Sequence, residues 1–205
     1  MNKVQKEHWE KIYQTKQPNE VSWTQEIPRV SLEFVHQFNI PKTARIIDIG
    51  GGDSKFVDFL LEEGYTQISV LDISETAINR AKERLGPIAK KVNWILTDIL
   101  DFHPSIKYDV WHDRAAFHFQ TENRKIEQYL QIVKDSVEGM VIIGTFSTDG
   151  PNKCSGLEIK QYNEMSMKEK FEKNSFKNIE CKREDHLTPL GNLQNFVFCS
   201  FIKTK

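Results

Sequence analysis

The run Ala44-Arg45-Ile46-Ile47-Asp48-Ile49-Gly50-Gly51-Gly52-Asp53-Ser54 constrains the fold of this chain more than any other stretch. Isoleucines at 46, 47 and 49, with no charge between Arg45 and Asp48, read as a strand buried on both faces. Three glycines follow at once, and Phe56, Phe59 and Leu60 then recur at helical spacing. Strand, glycine turn and helix in that order open a nucleotide-binding βαβ unit. Glycine is required there because the turn visits positive φ and a ligand must approach bare backbone. The helix that follows points its N-terminal N–H groups back at the turn.

The charges of the turn select among nucleotides. Asp48 ends the strand and Asp53 sits in the turn, so a pyrophosphate would be brought onto two carboxylates, whereas an ammonium or sulfonium would be attracted. Position 55 is Lys, so the third glycine of G-x-G-x-x-G is missing, and no Walker A sequence is present. Asp48-x-Gly50-x-Gly52 resembles the first motif of the Rossmann-like S-adenosylmethionine-dependent methyltransferases, acid-x-Gly-x-Gly-x-Gly, with Ser54 where the third glycine is usual. The resemblance implies S-adenosyl-L-methionine as cofactor, held around Asp48, Gly50, Gly51 and Gly52.

The rest of the chain alternates accordingly. Residues 3–16 and a segment beginning at Pro28 read as two amphipathic helices ahead of the first strand, with Trp23 in the loop between them. Strands are expected at 68–72, 92–98, 108–113 and 140–146, with helices between them capped by Ser74 and by Thr121. A short helix near 164–173, capped by Asn163 or Ser166, precedes two strands at 179–184 and 195–202. Lacking a helix between them, those last strands are antiparallel neighbours. The expected fold is therefore α/β and doubly wound. Its mostly parallel sheet carries a C-terminal antiparallel hairpin, with helices on both faces and an N-terminal helical cap. The resembling family implies seven strands. One domain over 1–205 is expected, divided into a cap or lid (1–41) and a Rossmann-like core (42–205).

Composition narrows the classes. A net charge of −1 announces no nucleic-acid partner, and no apolar run is long enough to span a membrane. The first seven residues lack the apolar core of a signal peptide. Cys154, Cys181 and Cys199 are odd in number and widely spaced, which suggests neither a disulfide framework nor a metal site. A reduced cytoplasmic enzyme, monomeric or weakly dimeric, is the expectation, with Cys154 as an exposed loop thiol.

Three successive strand ends finish on an acid: Asp48, Asp72 and Asp98. Asp72 stands where a carboxylate at the end of a second strand meets a ribose, and a carboxylate accepts from both hydroxyls. The resemblance implies that Ile73 packs on the adenine ring, that Asp98 accepts from its amino group, and that Ile99 gives an apolar wall. His112-Asp113-Arg114-Ala115 resembles the Asp-Arg-Gly segment of thiopurine-type methyltransferases, with Ala115 replacing Gly. His112 is then expected beside the donor methionine, Trp23 over the cofactor, and Asp113 or His118 as a catalytic base; Arg114 is expected to pair with an acid. The leading function is methyl transfer to a small-molecule acceptor. His8-Trp9-Glu10-x-x-Tyr13 loosely resembles the entry segment of small protein-lysine methyltransferases, so a protein lysine or N-terminus is the alternative acceptor. A non-catalytic cofactor-binding protein is a third reading.

Overall fold

The computed structural model describes residues 3–204. Two helices, α1 (Lys3–Thr15) and α2 (Arg29–Gln37), lead into β1 (Arg45–Ile49). The alternation continues with α3 (Phe56–Glu62), β2 (Gln67–Asp72), α4 (Glu75–Leu85), β3 (Val92–Leu96), β4 (Tyr108–Arg114), α5 (Asn123–Ser136) and β5 (Val137–Phe146). A two-residue-per-strand hairpin, β6 (Lys153–Cys154) and β7 (Leu157–Glu158), then α6 (Glu164–Glu172), β8 (Phe176–Leu187) and β9 (Leu193–Lys203) complete the chain. The seven-stranded sheet runs β3-β2-β1-β4-β5-β9-β8. Its first five strands are parallel, and β9 is inserted antiparallel between β5 and β8. The order reverses between β1 and β4, and open α/β sheets hold ligands outside the strand ends at such a point.

Both faces of the sheet are covered, and the isoleucine run shows how. Ile47 and Ile49 enter the apolar layer that α5 and α6 complete, while Ile46 enters the opposite layer with Phe34 of α2 and Phe56 of α3. The two-residue period of a strand sends one branched side chain to each layer in turn. Asp48, although it shares a face with Ile46, lies at the strand end, where that face opens toward the ligand crevice.

Several local expectations are refined. Pro28 is the N-cap of α2 and not its first residue. Ser74 caps α4 through a hydrogen bond from the Ala77 amide, and Asn163 caps α6 in a reciprocal capping box with Ser166. Thr121 caps nothing: Glu122 occupies the N-cap of α5 without a side-chain bond. The third strand stops at Leu96, and Asp98 caps a 3-10 turn over Ile99–Asp101. The expectation of three free thiols is overturned, since Cys181 and Cys199 form a disulfide. They are directly opposed in the β8–β9 register, a pairing that their separation of 18 residues conceals. Cys154 is also not exposed: the β6–β7 hairpin buries it to 5%.

The cap is anchored at both ends. The Glu10 carboxylate of α1 accepts from the amides of Glu75 and Thr76 and from the Thr76 hydroxyl, filling the open N-terminus of α4. Arg80 of α4 donates to the Lys16 carbonyl at 2.7 Å. Beyond α1, His186 Nε2 donates to the Ser22 carbonyl at 2.7 Å and Arg114 to that of Trp23 at 2.9 Å. Burial alone would raise the Glu10 carboxyl, but the Thr76 hydroxyl and the two amides hold it below its usual value. Its contribution is therefore present above the unfolded carboxylate pKa and lost as pH falls through the lowered folded value.

Glu10→Ala should destabilise the docking of α1 by roughly 0.5–2 kcal/mol, the range for a lost helix cap. Hydrogen exchange resolved by residue is the check. Faster exchange over 3–15 with an unchanged β4–β5 core is expected, and uniform loss of protection would show that Glu10 supports the whole fold.

Candidate functional site

Where β1, β2, β3 and β4 end, a cavity of about 630 Å³ opens beneath the cap. The glycine turn forms its floor. Gly50 sits at φ +65°, and the amides of Gly50 and Gly51 both donate to the Leu71 carbonyl, at 2.8 and 3.2 Å. These bonds fold the turn back onto the end of β2, so bare backbone faces the cavity. A Cβ on Gly50 would lie 2.9 Å from that of Ala116, one on Gly51 would overlap Asp48 Oδ2, and one on Gly52 would overlap Asp72 Oδ2. The two carboxylates are thus pressed against the glycine Cα atoms.

Asp48 is 2% exposed, and its two oxygens differ. Oδ1 accepts from His112 Nδ1 at 2.6 Å, and His112 Nε2 meets Ser31 Oγ at 2.8 Å. A carboxylate on Nδ1 places the proton there, leaving Nε2 to accept from the serine hydroxyl in the neutral ring. Oδ2 is buried with no hydrogen-bond partner in the protein. Such an orphan acceptor is costly unless a donor arrives. His112 borders the cavity as expected, yet both its nitrogens are engaged, so it orients Asp48.

Asp72 Oδ1 accepts from the Ser74 amide at 2.8 Å, while Oδ2 rests against Gly52. Its carboxyl is pushed up to about 7, first by burial; the Ser74 amide opposes that and the nearby Asp48 charge adds to it. Asp98 Oδ1 accepts from the Leu100 amide at 3.0 Å. Ile73, Asp98, Ile99 and Trp23 border the cavity with Asp48, Gly50, Gly51 and Asp72, whereas Gly52 lies behind Asp72. Asp53 does not serve the cavity's field as the sequence suggested, because Arg84 pairs with it at 2.7 Å and Arg80 at 3.7 Å. With Asp53 matched, Asp48 is the acid of the glycine turn left to attract a cation.

The structure separates the two candidate bases from the cavity. Asp113 is fully buried; its Oδ1 accepts from the amides of Ala116 and Phe117, and Oδ2 from the Tyr129 hydroxyl. Burial pushes its carboxyl up to about 6 against those three donors. It stabilises the turn after β4 and faces α5, away from any acceptor. His118 is equally buried, and its Nδ1 accepts from the Phe146 amide at 3.3 Å. Burial, then the Arg114 charge, push its pKa down to about 3, so it is a neutral residue of the interior. Neither borders the cavity. Their strand-end positions were visible in the sequence, but the directions of their side chains depend on α5 and β5.

Three further groups that do border the cavity were not singled out as site residues. Trp9 of α1 makes edge contacts with Trp23 at 5.7 Å and Phe119 at 5.1 Å, forming an aromatic roof. Arg114 enters from the end of β4, and Cys154 from the small hairpin. Burial pushes the Cys154 thiol up to about 12, although Arg114 and Ser22 act the other way, so it stays protonated. The position of Trp9 within a helix ahead of the sheet, with Trp23 downstream, was the only sequence signal for the roof.

These residues fit S-adenosylmethionine: an orphan carboxylate oxygen for its ammonium, buried Asp72 for the ribose, and apolar Ile73 and Ile99 around Asp98 for the adenine. Residues 46–138 match the family profile described as a methyltransferase domain. Over those residues the chain is similar to methyltransferase domains, and the sheet order and the glycine turn between two acids agree with that similarity. It is similar to malonyl-[acyl-carrier protein] O-methyltransferase 1 of Ilyobacter polytropus, 29% identical over 114 residues that cover 55% of this chain and 41% of that protein. Similarity to EEF1A lysine methyltransferase 2 of Mus musculus is 27% over 149 residues, covering 65% of this chain and 61% of that one. The chain thus spans less than two thirds of either relative. Among solved structures, the 1,6-didemethyltoxoflavin-N1-methyltransferase of Burkholderia thailandensis, holding S-adenosylhomocysteine, superposes with a TM-score of 0.75 at 17% identity over 98% of this chain and 88% of that one.

Two measurements follow from the geometry. Gly51→Ala should weaken S-adenosylhomocysteine binding at least ~10-fold, because the new methyl displaces Asp48 Oδ2; unchanged affinity by calorimetry would contradict the tight floor. For His118, the unfolded side chain (pKa ~6.5) takes up a proton before the folded one does. Folding stability should therefore fall as pH drops from about 6.5 toward about 3. His118→Asn keeps an acceptor for the Phe146 amide and should flatten that slope by up to ~1.4 kcal/mol per pH unit. Urea unfolding at several pH values gives the answer, and identical slopes would mean that the histidine is not held neutral.

Proposed function

We propose that the protein transfers the methyl group of S-adenosylmethionine to a small-molecule acceptor enclosed under the N-terminal cap. What carries this reading is that the cofactor residues and the aromatic roof line one cavity, with α1 and the Trp23 loop fastened over it. A cap tied to α4, β4 and β8 favours an acceptor that enters whole and not a side chain of a larger protein. The His8-Trp9-Glu10-x-x-Tyr13 segment is accounted for within the chain. Trp9 and Tyr13 join the roof, and Glu10 anchors the helix. A lysine ammonium would also meet the Arg114 guanidinium at the acceptor end.

In this reading Asp48 Oδ2 accepts from the cofactor ammonium and Asp72 from the ribose hydroxyls. Asp98 accepts from the adenine amino group between Ile73 and Ile99. Trp23 closes the methionine end. His112 and Ser31 hold Asp48 in the orientation that leaves Oδ2 available. The cofactor supplies an electrophilic methyl on a sulfonium whose leaving group is a neutral thioether. The protein's task is mainly to align the acceptor in a water-poor space, which in favourable cases supplies several kcal/mol. No role as base is assigned to Asp113 or His118, because neither reaches the cavity.

The ribose assignment carries a pH signature. In the free protein Asp72 is protonated up to about pH 7, and donors from the ribose favour its ionised form. Binding then releases a proton below that pH, so affinity for S-adenosylhomocysteine should rise several-fold between pH 6 and 8 and level off above. Asp72→Asn should bind more weakly by roughly 1.5–3 kcal/mol and lose the pH dependence. Calorimetry in buffers of different ionisation enthalpy measures both the affinity and the released proton. Absence of binding at every pH would defeat the cofactor assignment, and binding without proton release would defeat the role of Asp72.

A further inference from the structure

Arg114 is the last residue of β4, and its side chain shares the acceptor end of the cavity with Trp23, Phe119 and Cys154. The turn that follows it is pinned: the Ala115 amide donates to the Gly144 carbonyl at 2.8 Å, and Ala116 lies against Gly50. The backbone that follows Arg114 is thereby set beside Gly50, and the arginine borders the same cavity as the glycine turn. Its bonding is incomplete. Nη1 donates to the Trp23 carbonyl at 2.9 Å, and one face rests on the Phe196 ring 4.5 Å away, while Nε and Nη2 are buried without any hydrogen-bond partner. The expectation that Arg114 pairs with an acid is not met, as it forms no ion pair among the described residues. The Glu184 carboxylate acts on it through space without a direct bond; Gln25 donates to Glu184 Oε1 at 3.0 Å, and Oε2 is buried without a hydrogen-bond partner.

Of the other ionisable groups around Arg114, Asp48 acts on it only through space, since Asp48 is bonded to His112, and the rest carry no negative charge. His118 and His186 are kept neutral by burial, to which the arginine adds, and Cys154 keeps its proton. The cavity's other cations are already matched, Lys55 with Glu26, and Arg80 and Arg84 with Asp53. A buried charge with one neutral acceptor is destabilising until an anion joins it. The guanidinium is the side chain best suited to a planar anion such as a carboxylate. A sulfonium at the same end would add a second positive charge and strengthen that preference.

We propose that Arg114 recognises a carboxylate on the methyl acceptor, so that the substrate class is a small organic acid and not an amine. The inference rests on the methyl-transfer reading, and the aromatic roof above Arg114 suits an acid with an aromatic or otherwise flat apolar body.

The test uses the protein saturated with S-adenosylhomocysteine and titrated by calorimetry with phenylacetate, its neutral amide phenylacetamide, and phenethylamine. Phenylacetate should bind at least about tenfold more tightly than phenylacetamide, the range for a charge-assisted hydrogen bond, and phenethylamine should not bind. Arg114→Gln should abolish the preference for the acid and Arg114→Lys retain part of it, with S-adenosylhomocysteine affinity as the check that each variant has folded. Should Arg114→Gln fail to fold, the wild-type ranking of acid, amide and amine with the Arg114→Lys variant decides alone. Equal binding of acid and amide, no binding of any of the three, tighter binding of the amine, or a preference that survives Arg114→Gln would each overturn the assignment. If S-adenosylhomocysteine itself did not bind, the methyl-transfer reading would fall together with this one. Binding of S-adenosylhomocysteine without a charge preference would remove only the role of Arg114.

Discussion

Two buried carboxylates pressed against a glycine turn organise this protein. Asp48 and Asp72 end adjacent strands, both almost inaccessible, with their Oδ2 atoms against Gly51 and Gly52. Negative charge in such a place is unfavourable, and the chain compensates only part of it. His112 engages one oxygen of Asp48 and the Ser74 amide one oxygen of Asp72. The remaining deficit is shaped for a ligand that brings positive charge and hydroxyl donors. Any side chain on the glycines would push the acids out of position, so the turn, the acids and the strand ends stand or fall as a unit.

The same region explains why the cap matters. Glu10 fills the N-terminus of α4, the helix that begins three residues beyond Asp72, so the cap and the end of β2 share one structural element. On the opposite side, the carbonyls of Ser22 and Trp23 are held by His186 and Arg114. The roof over the cavity is therefore coupled to the acceptor end through Arg114, which bonds the Trp23 loop with one nitrogen and keeps its charge unmatched.

Much of the architecture was legible from local pattern. The alternation of apolar runs with capped helices gave the succession of strands up to β5 and their parallel sheet, and the absence of a helix between the last two strands implied their antiparallel pairing. Ser74 announced a cap by its position and chemistry. Asp48, Asp72 and Asp98 stood out as acids at successive strand ends and Gly50 and Gly51 as the turn between strand and helix, while Ile73 and Ile99 were named only through the family resemblance. Local pattern failed where the outcome depended on distant partners. Thr121 looked like a helix cap but stands one residue too early. Asp53 looked like part of a negative field until Arg80 and Arg84, on a helix about thirty residues away in sequence, neutralised it.

By itself the sequence determined the βαβ opening, the doubly wound sheet, and the acids that edge its crevice, because each follows from side-chain period, turn chemistry and strand-end position. Only the tertiary structure decided which polar groups at the end of β4 face inward to the core and which face the cavity. Asp113 and His118 are bonded by Tyr129 and by backbone amides of the turn and of β5, while Arg114, between them, borders the cavity. It also decided that Cys181 and Cys199 meet, through a cross-strand register no spacing reveals, and that Cys154 is buried. The physical reason is common to all of these. A backbone position is a local property, whereas the partner of a buried polar group is chosen by whichever distant segment packs against it, and burial makes that choice strict.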